Sequence, residues 1–193
     1  MYNSLVEFIQ KHSVLPLSQE DIHLIRTLFV PKRIRKRQYF LQADEACKFS
    51  AFIVKGAMKQ YSVDDKGIEH IVALYLENWW VTDRNSFTMR TPSLYNIDAL
   101  EDTDLLLISK VDAMELMNIP AFNEMARVLD ERHAISAQKR INSFISHSAE
   151  EKYVDLLRSY PEFLQRFPQH MIASYLGITK ETLSRIRNQI VKK

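Results

Sequence analysis

Six polar side chains near the carboxyl end of the chain have the types and spacing of a surface that reads nucleic-acid bases. Lysine or arginine can donate hydrogen bonds to guanine in the major groove of DNA, and glutamate can accept one from cytosine. Apolar residues at the intervening positions, Leu183 and Ile186, would face a neighbouring helix and leave the polar side chains outside. We predict that this exposed face contacts duplex DNA through Lys180, Glu181, Thr182, Ser184, Arg185 and Asn188.

The residues before this face have the pattern of a helix-turn-helix. Ala173 is small where a second helix must pack across the first, and Gly177 follows four residues later, where the turn needs a positive φ. Thr179 stands where an N-cap belongs, and Glu181 lies in the first turn of the new helix. The alternative is a plain pair of packed helices joined by a glycine turn. The joint pattern favours DNA binding, with Thr179 included in the contact surface.

The charge distribution agrees with a phosphate-facing end. The chain has 193 residues and a net charge of only +2, but its last 26 residues carry five basic side chains against one acidic one. A locally basic end on a nearly neutral protein is typical of a module that contacts phosphates, here through Arg187, Lys192 and Lys193. A solvated basic tail is the alternative interpretation of the charge alone.

The elements that must position this surface fall into three blocks. Ser18 and Asp21 have the spacing of a helix cap, and a shorter helix is expected before them, near residues 4–12. Residues 32–109 read as short strands divided by turn signals, which predicts a barrel or jelly roll. Helical periodicity then takes over, with a long helix through residues 122–145 and shorter helices after residue 149.

The long helix is a candidate dimer seam. A helix of this length between two domains often joins two copies of a chain. Its apolar stripe is interrupted by Arg132, Ser136 and Lys139, so it is not a regular heptad repeat. We therefore expect a homodimer that forms along this helix.

Other function classes find little support. The single cysteine, Cys47, cannot form an internal disulfide, and we find neither a signal peptide nor an apolar run long enough for a membrane, so a cytoplasmic protein without a membrane partner is expected. The six histidines are scattered, which disfavours a metal-dependent jelly-roll enzyme, and the chain has no Gly-x-Ser-x-Gly motif of a hydrolase. We expect neither catalysis nor a bound metal.

Five segments together resemble the family of the cyclic-AMP receptor protein and the fumarate–nitrate reduction regulator, the Crp/Fnr family. They are residues 36–39, 50–56, 64–67, 99–109 and, most closely, 177–185. The resemblance implies an α+β fold in which an N-terminal cyclic-nucleotide-binding-like β-roll (jelly roll) with flanking helices occupies residues 1–119. It also implies a linking and dimerisation helix over 120–147 and a helix-turn-helix DNA-binding domain over 148–193.

The same resemblance implies how DNA is read. The residues that read bases in the family fall here on Lys180, Glu181 and Arg185, although lysine stands where arginine is usual. A homodimer would then place two recognition helices in successive major grooves of a near-palindromic operator. The chain ends eight residues after Arg185, so we expect no β-hairpin wing. RNA polymerase is a further candidate partner.

The effector site of the family is poorly matched. The positions that bind the ribose and the cyclic phosphate fall on Thr82, Asp83, Ser93 and Leu94, and the arginine that pairs with the phosphate is missing. Without that cation we expect no tight binding of cyclic AMP. No cofactor is expected, and an unknown small-molecule effector stays a candidate. The alternative function is a ligand-sensing or adaptor protein of the same fold that acts through protein partners without binding DNA.

Overall fold

Two helices open the chain in the computed structural model, which describes residues 1–191. Helix α1 spans Tyr2–His12 and α2 spans Gln19–Leu28. Helix α2 begins at the predicted cap: the Asp21 N–H donates to the Ser18 hydroxyl over 3.1 Å, and the Ser18 N–H donates to the Asp21 carboxylate over 2.9 Å. Lys192 and Lys193, predicted to contact phosphates, lie outside the described residues.

The strands that follow form two four-stranded sheets, one in the order β1-β8-β3-β6 and the other in the order β2-β7-β4-β5. Strand β8 lies antiparallel to both β1 and β3. This arrangement confirms the predicted β-roll. The strands are β1 (Val30–Ile34), β2 (Tyr39–Leu41), β3 (Phe49–Lys55), β4 (Met58–Val63), β5 (Glu69–Tyr75), β6 (Trp80–Val81), β7 (Asn96–Ala99) and β8 (Thr103–Ser109).

Alternate residues of the central strands fill two separate cores, as the two-residue period of a strand requires. On one side, Ile53 and Leu105 pack with other buried side chains of the two sheets. On the other side, Phe52 and Leu106 pack against apolar residues of the helices. Each fully buried side chain of this size contributes about 1.5–3 kcal/mol. The cores therefore fix the roll and the helices that cover one of its faces.

Two local predictions for the roll are wrong. The segment 36–39, for which the family resemblance implies a strand, instead includes a turn in which Arg37 has a φ of 65°. The region 32–109, which reads as short strands divided by turns, also contains a helix, α3 (Arg84–Met89), whose N-cap is Asp83. Six residues are too few to produce a helical period in the sequence, so this element left no periodic signal.

The carboxyl half is helical, as predicted. Helix α5 has 27 residues and begins at Pro120, which lacks an N–H that a first helical turn would leave unpaired. The short helix α7 lies between α6 and α8. The helices are α4 (Lys110–Leu116), α5 (Pro120–Ser146), α6 (Ala149–Ser159), α7 (Phe163–Arg166), α8 (Gln169–Leu176) and α9 (Lys180–Val191).

The chain divides into two compact units. The N-terminal unit comprises Met1–Ser62 and Ala73–Glu131, and the C-terminal unit comprises Val63–Val72 and the chain from Arg132 onward. The three-part domain division at residues 119 and 147 stays a prediction. None of the helices described between residues 1 and 191 is long and apolar enough to cross a membrane.

Candidate nucleic-acid interface

The turn between α8 and α9 is built on Gly177. This residue has a φ of 67°, in the left-handed region that glycine adopts without strain. Its N–H donates to the Ser174 carbonyl over 3.0 Å, and the Ile178 N–H donates to the Ala173 carbonyl over 3.0 Å. These two bonds form a Schellman motif, which satisfies carbonyls at the end of α8 and turns the chain sharply into α9.

Thr179 caps the start of α9, as the sequence predicted. The Thr182 N–H donates to the Thr179 hydroxyl oxygen over 3.2 Å, and the two threonine hydroxyls lie 3.1 Å apart. Thr182 is half-buried, whereas Thr179 is exposed. Both threonine side chains are thus engaged in starting the helix, which leaves Thr182 less available to a ligand than the sequence alone indicates.

The buried side of the helix pair is apolar. Ala173 is 2% exposed, and its small side chain permits the close approach of α8 and α9 that the sequence predicted. Leu183 and Ile186 of α9 are also buried, and α6 packs against both helices. Helix α6 is fixed by a capping box in which the Ser148 N–H donates to Glu151, and this bond lowers the pKa of the Glu151 carboxyl. The fold thus holds one face of α9 and leaves the opposite face outside.

The outward face of α9 carries most of the predicted contact residues. They are exposed, and they line one shallow surface depression together with Gln189: Lys180, Glu181, Ser184, Arg185 and Asn188. Gln189 was missed in the sequence, although it follows Arg185 by four residues and therefore lies on the same helical face. Within residues 1–191, the side chains of Lys180, Glu181 and Arg185 form no hydrogen bond or ion pair.

The electrostatics of this face favour an anionic partner that is also rich in hydrogen-bonding groups. Two cations, Lys180 and Arg185, flank the single carboxylate of Glu181. The N-terminus of α9 adds the partial positive charge of a helix dipole beside Lys180. Arg187 is half-buried and lies at the margin of the face. The arrangement can donate to guanine and to phosphate, and it can accept from cytosine through Glu181.

The four predicted effector positions have a different environment. The Asp83 carboxylate accepts hydrogen bonds from the backbone N–H groups of Asn85 and Ser86, over 3.1 and 3.3 Å. Its other oxygen accepts from the Ser93 hydroxyl over 2.6 Å. Asp83 and Ser93 are both buried. Their polar groups therefore serve to cap α3 and to anchor the chain that follows it.

Within the described chain, the Thr82 and Leu94 side chains form no hydrogen bond with Asp83 or Ser93. The Thr82 hydroxyl lies 3.4 Å from the Phe49 carbonyl oxygen, to which it donates, and 3.5 Å from the Cys47 sulfur. The Leu94 side chain is 77% exposed. The structure thus joins Asp83 to Ser93 but not to Leu94, and the assignment of all four to an effector stays a prediction. Among the described residues, no cluster of three or more His, Cys, Asp or Glu side chains could hold a metal ion.

Comparison with known proteins identifies one domain of the chain and several proteins that are similar to it. Residues 31–119 match the cyclic nucleotide-binding domain. The chain is 26% identical to the anaerobic regulatory protein of Haemophilus influenzae, over 91% of this chain and 73% of that protein. The structure of FixK2 from Bradyrhizobium japonicum has a TM-score of 0.69 at 18% identity and covers 85% of each chain. A CooA mutant from Carboxydothermus hydrogenoformans has a TM-score of 0.68 at 17% identity, over 88% of this chain and 79% of that one. The fold, the domain match and the regulatory relative together confirm the resemblance to regulators of the Crp/Fnr family.

Proposed function

We propose that this chain is a sequence-specific, DNA-binding transcriptional regulator of the cytoplasm. The observation that carries the proposal is the outward face of α9, where Lys180, Glu181 and Arg185 are exposed and have no partner within the described chain. Charged side chains that the fold holds on a rigid helix but does not itself use are suited to a partner. Duplex DNA offers both the phosphates and the base edges that these three side chains match.

The dimensions of α9 fit the major groove. Lys180 and Glu181 occupy its first turn, which is the part of a recognition helix that enters the groove in helix-turn-helix proteins. Arg185 follows Lys180 by five residues, or about 7.5 Å along the helix axis, which corresponds to about two base-pair steps. One copy of α9 would therefore read a half-site of a few base pairs.

A homodimer would supply the second recognition helix. Helix α5 exposes Ile135, Ile141 and Ile145, which are 54%, 61% and 81% accessible. Ile141 and Ile145 are one helical turn apart and so share a face of the helix. Burial of this apolar stripe against its copy would stabilise a dimer. Two helices related by a two-fold axis would bind a near-palindromic operator whose half-sites are about 10 base pairs apart.

The environment of Asp83 supports a regulator that does not respond to cyclic AMP. A cyclic phosphate bound at Ser93 and Leu94 would lie beside the buried Asp83 carboxylate, which already accepts two backbone N–H groups and the Ser93 hydroxyl. The phosphate and the Asp83 carboxylate would repel each other, and neither position 93 nor position 94 is an arginine that could pair with the phosphate. An effector of different chemistry and RNA polymerase remain candidate partners of the regulator.

Selection from a pool of random DNA sequences tests the proposal. The purified full-length chain should enrich an inverted repeat, because two equivalent α9 helices read the two half-sites. Arg185→Ala should abolish the enrichment, whereas Arg158→Ala, which removes an exposed arginine from α6, should leave it intact. If the wild-type chain enriches no sequence, or if Arg185→Ala enriches the same repeat, the proposed reading surface is wrong.

A further inference from the structure

The C-terminal unit contains a β-hairpin that the sequence placed with the roll. The hairpin joins β4 to β5, and its turn closes with hydrogen bonds from the Gly67 N–H to the Asp64 carbonyl over 2.9 Å and from the Asp64 N–H to the Ile68 carbonyl over 3.1 Å. Residues Val63–Val72 group with the helices from Arg132 onward. The helix-turn-helix therefore has a β-structured neighbour within its own unit.

Ser174 of α8 contacts the free edge of this hairpin. Strand β5 is the outer strand of its sheet, so alternate residues direct backbone groups away from β4. The Ile71 N–H donates to the Ser174 hydroxyl over 2.9 Å, and the same hydroxyl donates to the Glu69 carbonyl over 3.3 Å. One side chain thus bonds to two backbone groups of an edge strand.

Arg140 of α5 contacts the hairpin and α8 at the same time. Its guanidinium donates a hydrogen bond to the Val72 carbonyl. The centre of the guanidinium also lies 4.4 Å from the centre of the Tyr175 ring and 5.5 Å from that of Phe144. Burial raises the pKa of the Tyr175 phenol above its usual value of 10.0. We call the contacts of Ser174 and Arg140 with residues 69–72 the hairpin latch.

The latch acts on the helix that supports the reading face. Ser174 and Tyr175 lie on α8, and the Schellman motif at Gly177 joins α8 to α9 without a flexible linker. The buried side chains of Leu176 and Leu183 further tie the two helices. Anything that fixes the orientation of α8 therefore also fixes the orientation of α9.

From these contacts we propose that Ser174 and Arg140 are positioning residues for DNA recognition. They hold the helix-turn-helix against the hairpin and α5, so that the two recognition helices of a dimer have one fixed separation. The proposal rests on the proposed function. In this proposal, the outward face of α9 determines which bases are recognised, and the hairpin latch determines the spacing between the two half-sites.

The test compares affinities for the selected inverted repeat at its best spacing and with one base pair added or removed. In Ser174→Ala and Arg140→Lys, the preference for the best spacing should fall about threefold to tenfold, the range expected for the loss of one or two hydrogen bonds. The preferred bases within each half-site should not change, because the α9 side chains are intact. Ser159→Ala and Arg158→Lys, which alter exposed residues of α6, are the matched controls.

Hydrogen exchange of the full chain without DNA provides a second measurement. The Ile71 amide should exchange about threefold to tenfold faster in Ser174→Ala, since its acceptor is removed. Unchanged exchange at Ile71, or unchanged spacing preference in both variants, would overturn the latch. If the wild-type chain selects no DNA at all, the proposed function fails, while the Ile71 exchange still reports separately on whether the latch forms.

Discussion

The segment around α3 and helix α9 both carry polar residues at positions where the resemblance to the Crp/Fnr family implies a ligand, yet the fold uses them in opposite ways. Near α3, Asp83 and Ser93 are buried and bonded to each other and to the backbone. On α9, Lys180 and Arg185 are exposed and form no bond within residues 1–191. The polar groups around α3 therefore bond within the fold, and those of α9 are exposed to solvent.

The difference shows how polar residues can stabilise the fold itself in one region and stay available to a partner in another. A cap residue such as Asp83 contributes about 1 kcal/mol to its helix, so a carboxylate at this place is useful to the roll without any ligand. The charges of α9 have no comparable structural use, because the buried face of that helix is formed by Leu183 and Ile186. The two regions contain similar types of polar residue, and they differ in whether those side chains form hydrogen bonds within the fold.

The largest expected effect is on DNA affinity and comes from charge reversal on α9. Arg185→Glu should weaken binding to the selected operator by at least about 100-fold, because it removes a base contact and adds repulsion from phosphates in both half-sites. Fluorescence anisotropy with labelled operator measures the loss. Arg158→Glu is the control for the change in net charge. An equal loss of operator affinity in that variant would show that the effect comes from net charge and not from the face of α9.

The second effect is on the stability of the turn that holds this face. Gly177 and Gly67 both have a positive φ, which is strained for any residue with a Cβ. A Cβ added at Gly177 would also lie 2.7 Å from a carbon of the Phe144 ring, whereas a Cβ added at Gly67 would have no neighbour within 4 Å. Gly67→Ala should thus cost about 1 kcal/mol of unfolding free energy, and Gly177→Ala about 2 kcal/mol or more. Urea denaturation compares them, and equal costs would mean that the Phe144 ring moves aside freely.

The smallest effect is expected at the segment around α3. Asp83→Ala should lower the free energy of unfolding by about 1 kcal/mol through loss of the cap, and DNA affinity should change less than twofold. Calorimetry should detect no saturable binding of cyclic AMP by the wild-type chain at millimolar concentration. Saturable binding, or a change in operator affinity on its addition, would contradict the contrast between the two regions.

Local signals allowed much of the fold to be predicted. The spacing of Ser18 and Asp21 indicated the start of α2 because both partners of the capping box lie within one helical turn. The long period after Pro120 indicated α5, and Ala173 with Gly177 indicated the turn, for the same reason: each pattern depends on near neighbours in the sequence. On α9, the period of the helix was enough to separate the buried side chains from the exposed ones.

Features that depend on distant residues could not be predicted in this way. Ser174 and Ile71 are 103 residues apart, and nothing in either local pattern indicates that they meet. Helix α3 is too short for a periodic signal, so the role of Asp83 as the cap of that helix was not predicted. The first feature depends on tertiary structure, and the second on a helix too short to leave a pattern in the sequence.

The place of the hairpin in the C-terminal unit bears on how this protein can be recombined. A fragment that begins after α5 would carry the helix-turn-helix but leave behind residues 69–72, which bond to Ser174, and Arg140, which bonds to Val72. We therefore expect such a fragment to lack contacts that hold α8 in place. Chimeras that exchange DNA specificity should instead transplant the α9 side chains alone, or move the hairpin, the second half of α5 and the last helices as one module.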